Sequence, residues 1–142
     1  MIMAKKYRTK GKQPKDLESA MKRAAGIALV KLVPILDRQF TEEIQTVEWG
    51  WPGTTKRKNG QTVSTPRNII DTGDLMRSQK NQKINNFTWR WTWDISYSKV
   101  VHNGAVLKAG GNYPARPWTK TAERVVKPNE FLNDIIRREL DG

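Results

Sequence analysis

Three observations predict an α+β fold: a long N-terminal helix packed on a small antiparallel sheet, a projecting hairpin arm and C-terminal helices. Apolar residues recur at helical spacing from Leu17 to Ile44. Trp89, Trp91 and Trp93 alternate strictly, the period of a strand with one apolar face. A second helical stripe runs through Phe131, Leu132, Ile135, Ile136 and Leu140. A length of 142 residues fits one domain, read as 14–142 behind a flexible basic arm at 1–13.

That arm carries Lys5, Lys6, Arg8, Lys10 and Lys12 around Gly11, with no apolar period. Pro14, Asp16 and Glu18 then make a helix start, with acids in the favourable first turn. Leu17, Met21, Ala24, Ala28 and Leu32 form the stripe, widened by Ala20, Ala25 and Leu29. Pro34 interrupts the pattern, yet Ile35, Leu36, Phe40 and Ile44 continue it. The reading is one helix over about 16–46, kinked or broken near Val33.

Residues 47–66 differ in kind. Trp49-Gly50-Trp51-Pro52-Gly53 leads to Lys56, Arg57, Lys58 and the turn signal Asn59-Gly60, where both residues tolerate positive φ. Gln61–Thr65 returns and Pro66 ends the run. The stretch reads as a two-stranded arm with a basic tip, or as a basic loop. Trp49 and Trp51 share a side of any strand, so they cover the edge of the core or meet a neighbour. Further on, Asp71 or Thr72 caps a short helix with Asp74 in its first turn and Leu75 buried.

The tryptophan strand spans 87–94, and Ile95, Tyr97 and Val100-Val101 form the next strand after a tight connection at Asp94-Ile95-Ser96, or with that stretch continuing the first, closed by His102-Asn103-Gly104. Aligned tryptophans would also suit a base-stacking platform; packing on the long helix is the reading adopted. Ala109–Asn112 makes a flexible loop before Tyr113-Pro114-Ala115-Arg116-Pro117-Trp118. Two prolines keep this elbow extended, Pro117 opens a helix, and Trp118 anchors its first turn. The helix runs to about Val126, and Pro128 starts another.

Composition narrows the function. Without cysteine, disulfides, thiolate nucleophiles and cysteine zinc sites are excluded. No apolar run follows the charged start, and none approaches the ~20 residues of a membrane span. A soluble protein, intracellular at synthesis and without a membrane partner, is expected. Net charge is +12, from 26 basic and 14 acidic side chains, which favours polyanions or acidic protein surfaces. The excess lies upstream, because five basic residues from Lys120 onward meet five acids.

Catalytic constellations are weak. His102 is the lone histidine, and no Gly-x-Ser-x-Gly elbow accompanies it. Asp71, Asp74 and Asp94 are the carboxylates available to a metal nuclease, but the first two serve better at a helix start. Gly110-Gly111 lacks the Lys-Ser/Thr of a phosphate loop, and no sequence-specific DNA module is visible. No catalytic, cofactor-binding or metal residue is assigned, and the expectation is a non-enzyme without cofactor.

Three ordered segments carry a resemblance. Asp71-Thr72-Gly73-Asp74-Leu75-Met76-Arg77-Ser78, Tyr97-Ser98-Lys99-Val100-Val101-His102-Asn103-Gly104 and Pro114-Ala115-Arg116-Pro117-Trp118 follow the long helix in that order. Together they resemble the Thr-Gly-x-Leu-x-x-Ser, Tyr-Ala…Val-x-x-Gly and Pro-Ala-Arg-Pro-Phe blocks of tailed-phage neck and tail-completion proteins, over about residues 14–126. Trp118 stands where that family usually has Phe, Asn103 where an acidic or polar residue often precedes the glycine, and the arm at 47–66 is an addition.

The resemblance implies a non-catalytic virion protein. It would complete the tail or join it to the head as a ring around the DNA channel, against neck, connector or tail-tube proteins. Subunit-interface candidates are then Trp49, Trp51, Asn103, Gly104, Tyr113, Arg116 and Trp118, with Arg116 facing an acid across the joint or within the chain. Lys56, Arg57, Lys58 and Arg67 are the DNA-channel candidates, attracting DNA without reading its sequence. The alternatives are a free, sequence-independent DNA-binding protein using the arm and the N-terminal tail, and a metal nuclease using Asp71 and Asp74.

Overall fold

A computed structural model describes residues 14–108 and 110–141, so the basic arm expected at 1–13 lies outside the described residues. Helix α1 (Pro14–Gln45) organises the fold and runs through Pro34 as one element, with that proline on an exposed position. Ala24, Ala28, Leu32, Leu36, Phe40 and Ile44 are all buried along it. A step of four residues advances about 40° around a helix axis, so this seam winds by roughly 200° between its ends. It therefore meets different neighbours along its length, and no single apolar face is needed. Among the described residues, no helix is long and apolar enough to cross a membrane.

Two helices close the chain on α1: α4 (Trp118–Val126) and α5 (Pro128–Asp141). Lys127 joins them in the left-handed conformation (φ 53°), its N–H donating to Glu123 O at 2.9 Å, and Pro128 restarts the helix as expected. Ala122, Leu132, Ile135, Ile136 and Leu140 share one cluster with the α1 seam, and Lys31 pairs with Glu139 at 3.8 Å.

The strands form three separate antiparallel pairs: β1 (Thr55–Lys56) with β2 (Thr62–Val63), β3 (Gln79–Asn85) with β4 (Thr88–Trp93), and β5 (Ala105–Val106) with β6 (Asn112–Tyr113). The tryptophan strand β4 forms where expected, and Trp91 and Trp93 meet Phe40 edge-on at 5.4 and 5.3 Å. Its partner is not the 95–101 stretch. That stretch leads into a short helix, α3 (Ser98–Asn103), with Val101 buried and Val100 outside. The partner is β3, reached by a turn in which Asn85 Oδ1 accepts the Phe87 N–H at 2.8 Å.

β3 is polar because it completes the tryptophans. Trp93 Nε1 donates to Gln79 Oε1 and Trp89 Nε1 to Asn81 Oδ1, both at 3.2 Å. Gln79 Nε2 and Trp91 Nε1 donate in turn to Asp37 on α1. Indole N–H groups carried against a helix need acceptors; β3 supplies two of them and Asp37 of α1 the third.

Where α1 ends, Trp49 is buried with its Nε1 donating to Glu43 O at 2.8 Å. Glu48 lies beside Glu43, and its carboxyl is raised from 4.5 to about 7. Desolvation is the main cause; the neighbouring Glu43 carboxyl adds a shared proton and like-charge repulsion. Between pH 4.5 and 7 the folded chain thus binds a proton that the unfolded chain has released. This contribution is complete below pH 4.5 and is lost as pH rises through 7. Unfolding free energy measured by denaturant across that window should fall less steeply for Glu48→Gln than for the parent; parallel curves would contradict the pairing.

Candidate functional site

Three segments distant in sequence, 72–78, 97–104 and 113–118, converge on one cavity. Helix α2 (Asp74–Arg77) follows Gly73, which occupies the position before the helix; neither Asp71 nor Thr72 caps it. Thr72 Oγ1 donates to Asp74 Oδ2, and Asp71 instead accepts the Lys58 and Asn59 backbone N–H groups. Leu75 is buried as expected. Behind α3, the Arg116 N–H donates to Val101 O at 2.9 Å, which ties the elbow to the second segment. A cavity of about 430 Å³ is lined by Thr72, Leu75, Tyr97, Val101, Tyr113 and Arg116, among others.

Its opposite wall is the β1–β2 hairpin. The turn differs from the expected one. Gly60 takes positive φ (+90°) while Asn59 does not, and Asn59 uses its side chain, Oδ1 accepting the Gln61 N–H and Nδ2 donating to Asp71 O. The hairpin tip is thereby fixed to the 68–71 segment. Arg57 strengthens this, donating through Nη1 to Asn68 Oδ1 and Ile70 O, and through Nη2 to Asn68 O.

Arg67 holds the base of the arm. Its guanidinium donates to Ser64 O, Thr55 Oγ1, Val63 O and Gly53 O, and it is only 4% exposed. Arg67 is therefore buried and Arg57 half-buried, unlike the surface charges expected of a channel lining; the Arg67 donors satisfy acceptors of the curved arm and those of Arg57 satisfy Asn68 and Ile70. Lys56 and Lys58 are exposed.

Trp51 sits between two cations, with Arg67 Cζ 4.7 Å and Arg116 Cζ 4.8 Å from its ring centroid. Tyr113 packs on it edge-to-face at 4.9 Å, and its hydroxyl accepts from Arg116 Nη2 at 2.7 Å. Arg116 is 6% exposed, and its Nε has no hydrogen-bond partner. Burial chiefly lowers the Arg67 and Arg116 pKa values; repulsion from Arg57, and for Arg116 also from Arg67, lowers them further, while Tyr113 opposes the shift. Both stay charged. Among the described residues, none of these three arginines forms an ion pair. The cavity acids are engaged elsewhere: Asp71 with the hairpin tip, Asp74 with Arg77 and Thr72.

The other interface candidates divide. Trp49, Gly104 and Trp118 serve the chain's own interior. Trp49 and Trp118 are buried, and Gly104 lies against the Tyr113–Ala115 backbone. Trp118 meets Trp93 at 5.4 Å and His102 at 4.9 Å, edge-to-face. Trp51 and Tyr113 are half-buried, and Asn103 is exposed. His102 has both ring nitrogens engaged, with Asn103 Oδ1 at 2.7 Å and Thr119 Oγ1 at 2.6 Å, beside a shallow depression. Among the described residues, no group of three His, Cys, Asp or Glu side chains is placed to hold a metal ion.

Sequence reasoning singled out each arginine but missed that they gather. One signal was available: counting equal steps outward from the hairpin turn brings Trp51 opposite Arg67. The irregular Trp51-Pro52-Gly53 stretch shifts the actual bridge to Trp49–Arg67 and leaves Trp51 against the guanidiniums. No protein-family model, curated protein or solved structure matches the chain.

Proposed function

We propose that the chain is a structural subunit of a tailed-phage neck or tail, forming a ring that completes the tail or joins it to the head around the DNA channel. The observation that carries this reading is the convergence of the three phage-like segments. They are separate in sequence, yet α2, α3 and the elbow close on one cavity and are tied through Arg116 and Val101. A pattern whose parts form one structural unit is a stronger resemblance than three isolated matches.

The surface suits assembly. Two hairpin tips carry exposed apolar side chains, Ile84 and Phe87 on β3–β4 and Val106 and Leu107 on β5–β6, with Val106 85% exposed. Such side chains gain from burial against a neighbour, here another copy of the chain or a neck, connector or tail-tube protein. Lys56, Lys58, Lys80, Lys83 and Arg90 are exposed and would give the channel side a sequence-independent attraction for DNA. The chain's place would be the virion.

Electron microscopy of the purified protein, and of tails containing it, should show closed rings. Monomers alone in those images, with the chain absent from purified virions, would overturn the reading.

A further inference from the structure

We infer that the arginine-lined cavity is a receptor for a carboxylate, an acidic side chain presented by a neighbouring protein. The cavity gathers Arg57, Arg67 and Arg116; Asp71 and Asp74 line the same space but are held by the hairpin tip and by Arg77, and among the described residues no carboxylate is bound to any of the three arginines. Burying like charges together is unfavourable unless an opposite charge joins them. Arg57 spends three of its five donors and Arg67 four on the chain's own acceptors, so they contribute chiefly field; Arg116 retains the most donor capacity. The one hydrogen bond of its side chain among the described residues goes to the Tyr113 hydroxyl, and its Nε is buried without a partner. A planar guanidinium of this kind is matched by a carboxylate fork.

The walls favour a side chain over a nucleic-acid phosphate. Trp51, Ile69, Leu75, Val101 and Tyr113 line the same space, giving apolar surface for the methylenes that carry a carboxylate. A volume of about 430 Å³ falls within the range of small-ligand pockets. Arg116 is 6% exposed, and the phosphates of duplex DNA are fixed on a stiff rod that cannot follow it into a recess. Duplex DNA would meet the exposed Lys56 and Lys58 instead. The cavity lies within one chain, so it is open to such a side chain whether or not rings form.

The test uses the full chain, diluted until light scattering shows it monomeric. Tryptophan fluorescence is followed during titration with acetyl-Gly-Glu-Gly-amide, acetyl-Gly-Gln-Gly-amide or inorganic phosphate at constant ionic strength. The glutamate peptide should give a saturable change in the millimolar range, and the glutamine peptide none. Trp51→Phe should remove the response, and Arg116→Lys, which keeps the charge but not the fork, should weaken binding about tenfold. No saturable response, or equal responses to the two peptides, would overturn the proposal. Tighter binding of phosphate than of the glutamate peptide would overturn the carboxylate assignment in favour of a phosphate site. The comparison of the two peptides uses the unaltered chain, so it decides even if Arg116→Lys fails to fold.

Discussion

Replacing Trp118 by alanine is expected to remove about 3–5 kcal/mol of stability, a large share of the roughly 5–15 kcal/mol that holds a typical chain folded. Trp118 is 2% exposed and is among the largest fully buried side chains. It opens α4, so its loss loosens the helix that carries Ala122 into the core. Its ring also supports Trp93 and His102 edge-on, and both would face a void. Lys58→Ala touches an exposed side chain and should stay within about 0.5 kcal/mol. Denaturant unfolding of the two variants decides the matter; equal losses would contradict the placement of Trp118.

Phenylalanine makes the comparison sharper. The Trp118 Nε1–H is buried without a hydrogen-bond partner, an arrangement that costs about 1–3 kcal/mol. Trp118→Phe gives up ring area but removes that orphaned donor. The two effects oppose each other, so its loss should be well below that of the alanine variant.

The parts of the fold legible in the sequence are those whose burial follows a local period. The α1 seam, the β4 tryptophans and the α5 stripe each repeat at helix or strand spacing, and Pro128 punctuates the last pair of helices. β3 was not legible, because the core it completes is a set of indole N–H groups. Its inward residues Gln79 and Asn81 are therefore amides, and a polar run with polar inward positions carries no hydrophobic period. The stretch before Gly104 misled for a related reason. Val100-Val101 suggests a strand, yet only Val101 is buried, as one turn of helix requires.

Arg57, Arg67 and Arg116 illustrate a different limit. A basic residue near an Asn-Gly turn reads as a surface charge, and nothing local says otherwise. Whether it is one depends on which carbonyls the bent arm leaves without partners, which is fixed only once the arm has folded against 68–71. Arg67 serves four acceptors of the arm and Arg57 serves three acceptors on two residues of the adjoining segment, Asn68 and Ile70. The elbow fared better. Two prolines and a tryptophan announced a stiff anchor, and Trp118 is one.

Gly104→Ala should be as damaging as the loss of Trp118, by a different route. Gly104 has φ 75° and ψ 177°, a region that is essentially glycine's alone and costs a side-chain-bearing residue about 1–3 kcal/mol. A Cβ there would lie 2.7 Å from Tyr113 O and 2.9 Å from Ala115 N. Both are backbone atoms, so no flexible side chain can swing aside. Relief requires moving the elbow from the end of α3, against the Arg116 N–H to Val101 O bond that joins them. Overpacking of this kind adds about 1–3 kcal/mol, for a total of about 3 kcal/mol or more. Gly111→Ala is the control, since Gly111 also has positive φ (89°) but nothing within 4 Å of its Cβ position. It should show only backbone strain, about 1–2 kcal/mol. The displacement should also reach the cavity, because Tyr113 and Arg116 frame Trp51 on either side of the strained contact. Unfolding measurements and amide exchange at Arg116 test both halves: a larger loss and faster exchange in Gly104→Ala than in Gly111→Ala are expected. Equal losses, with Arg116 exchange unchanged, would mean that the elbow does not depend on a bare backbone at this position.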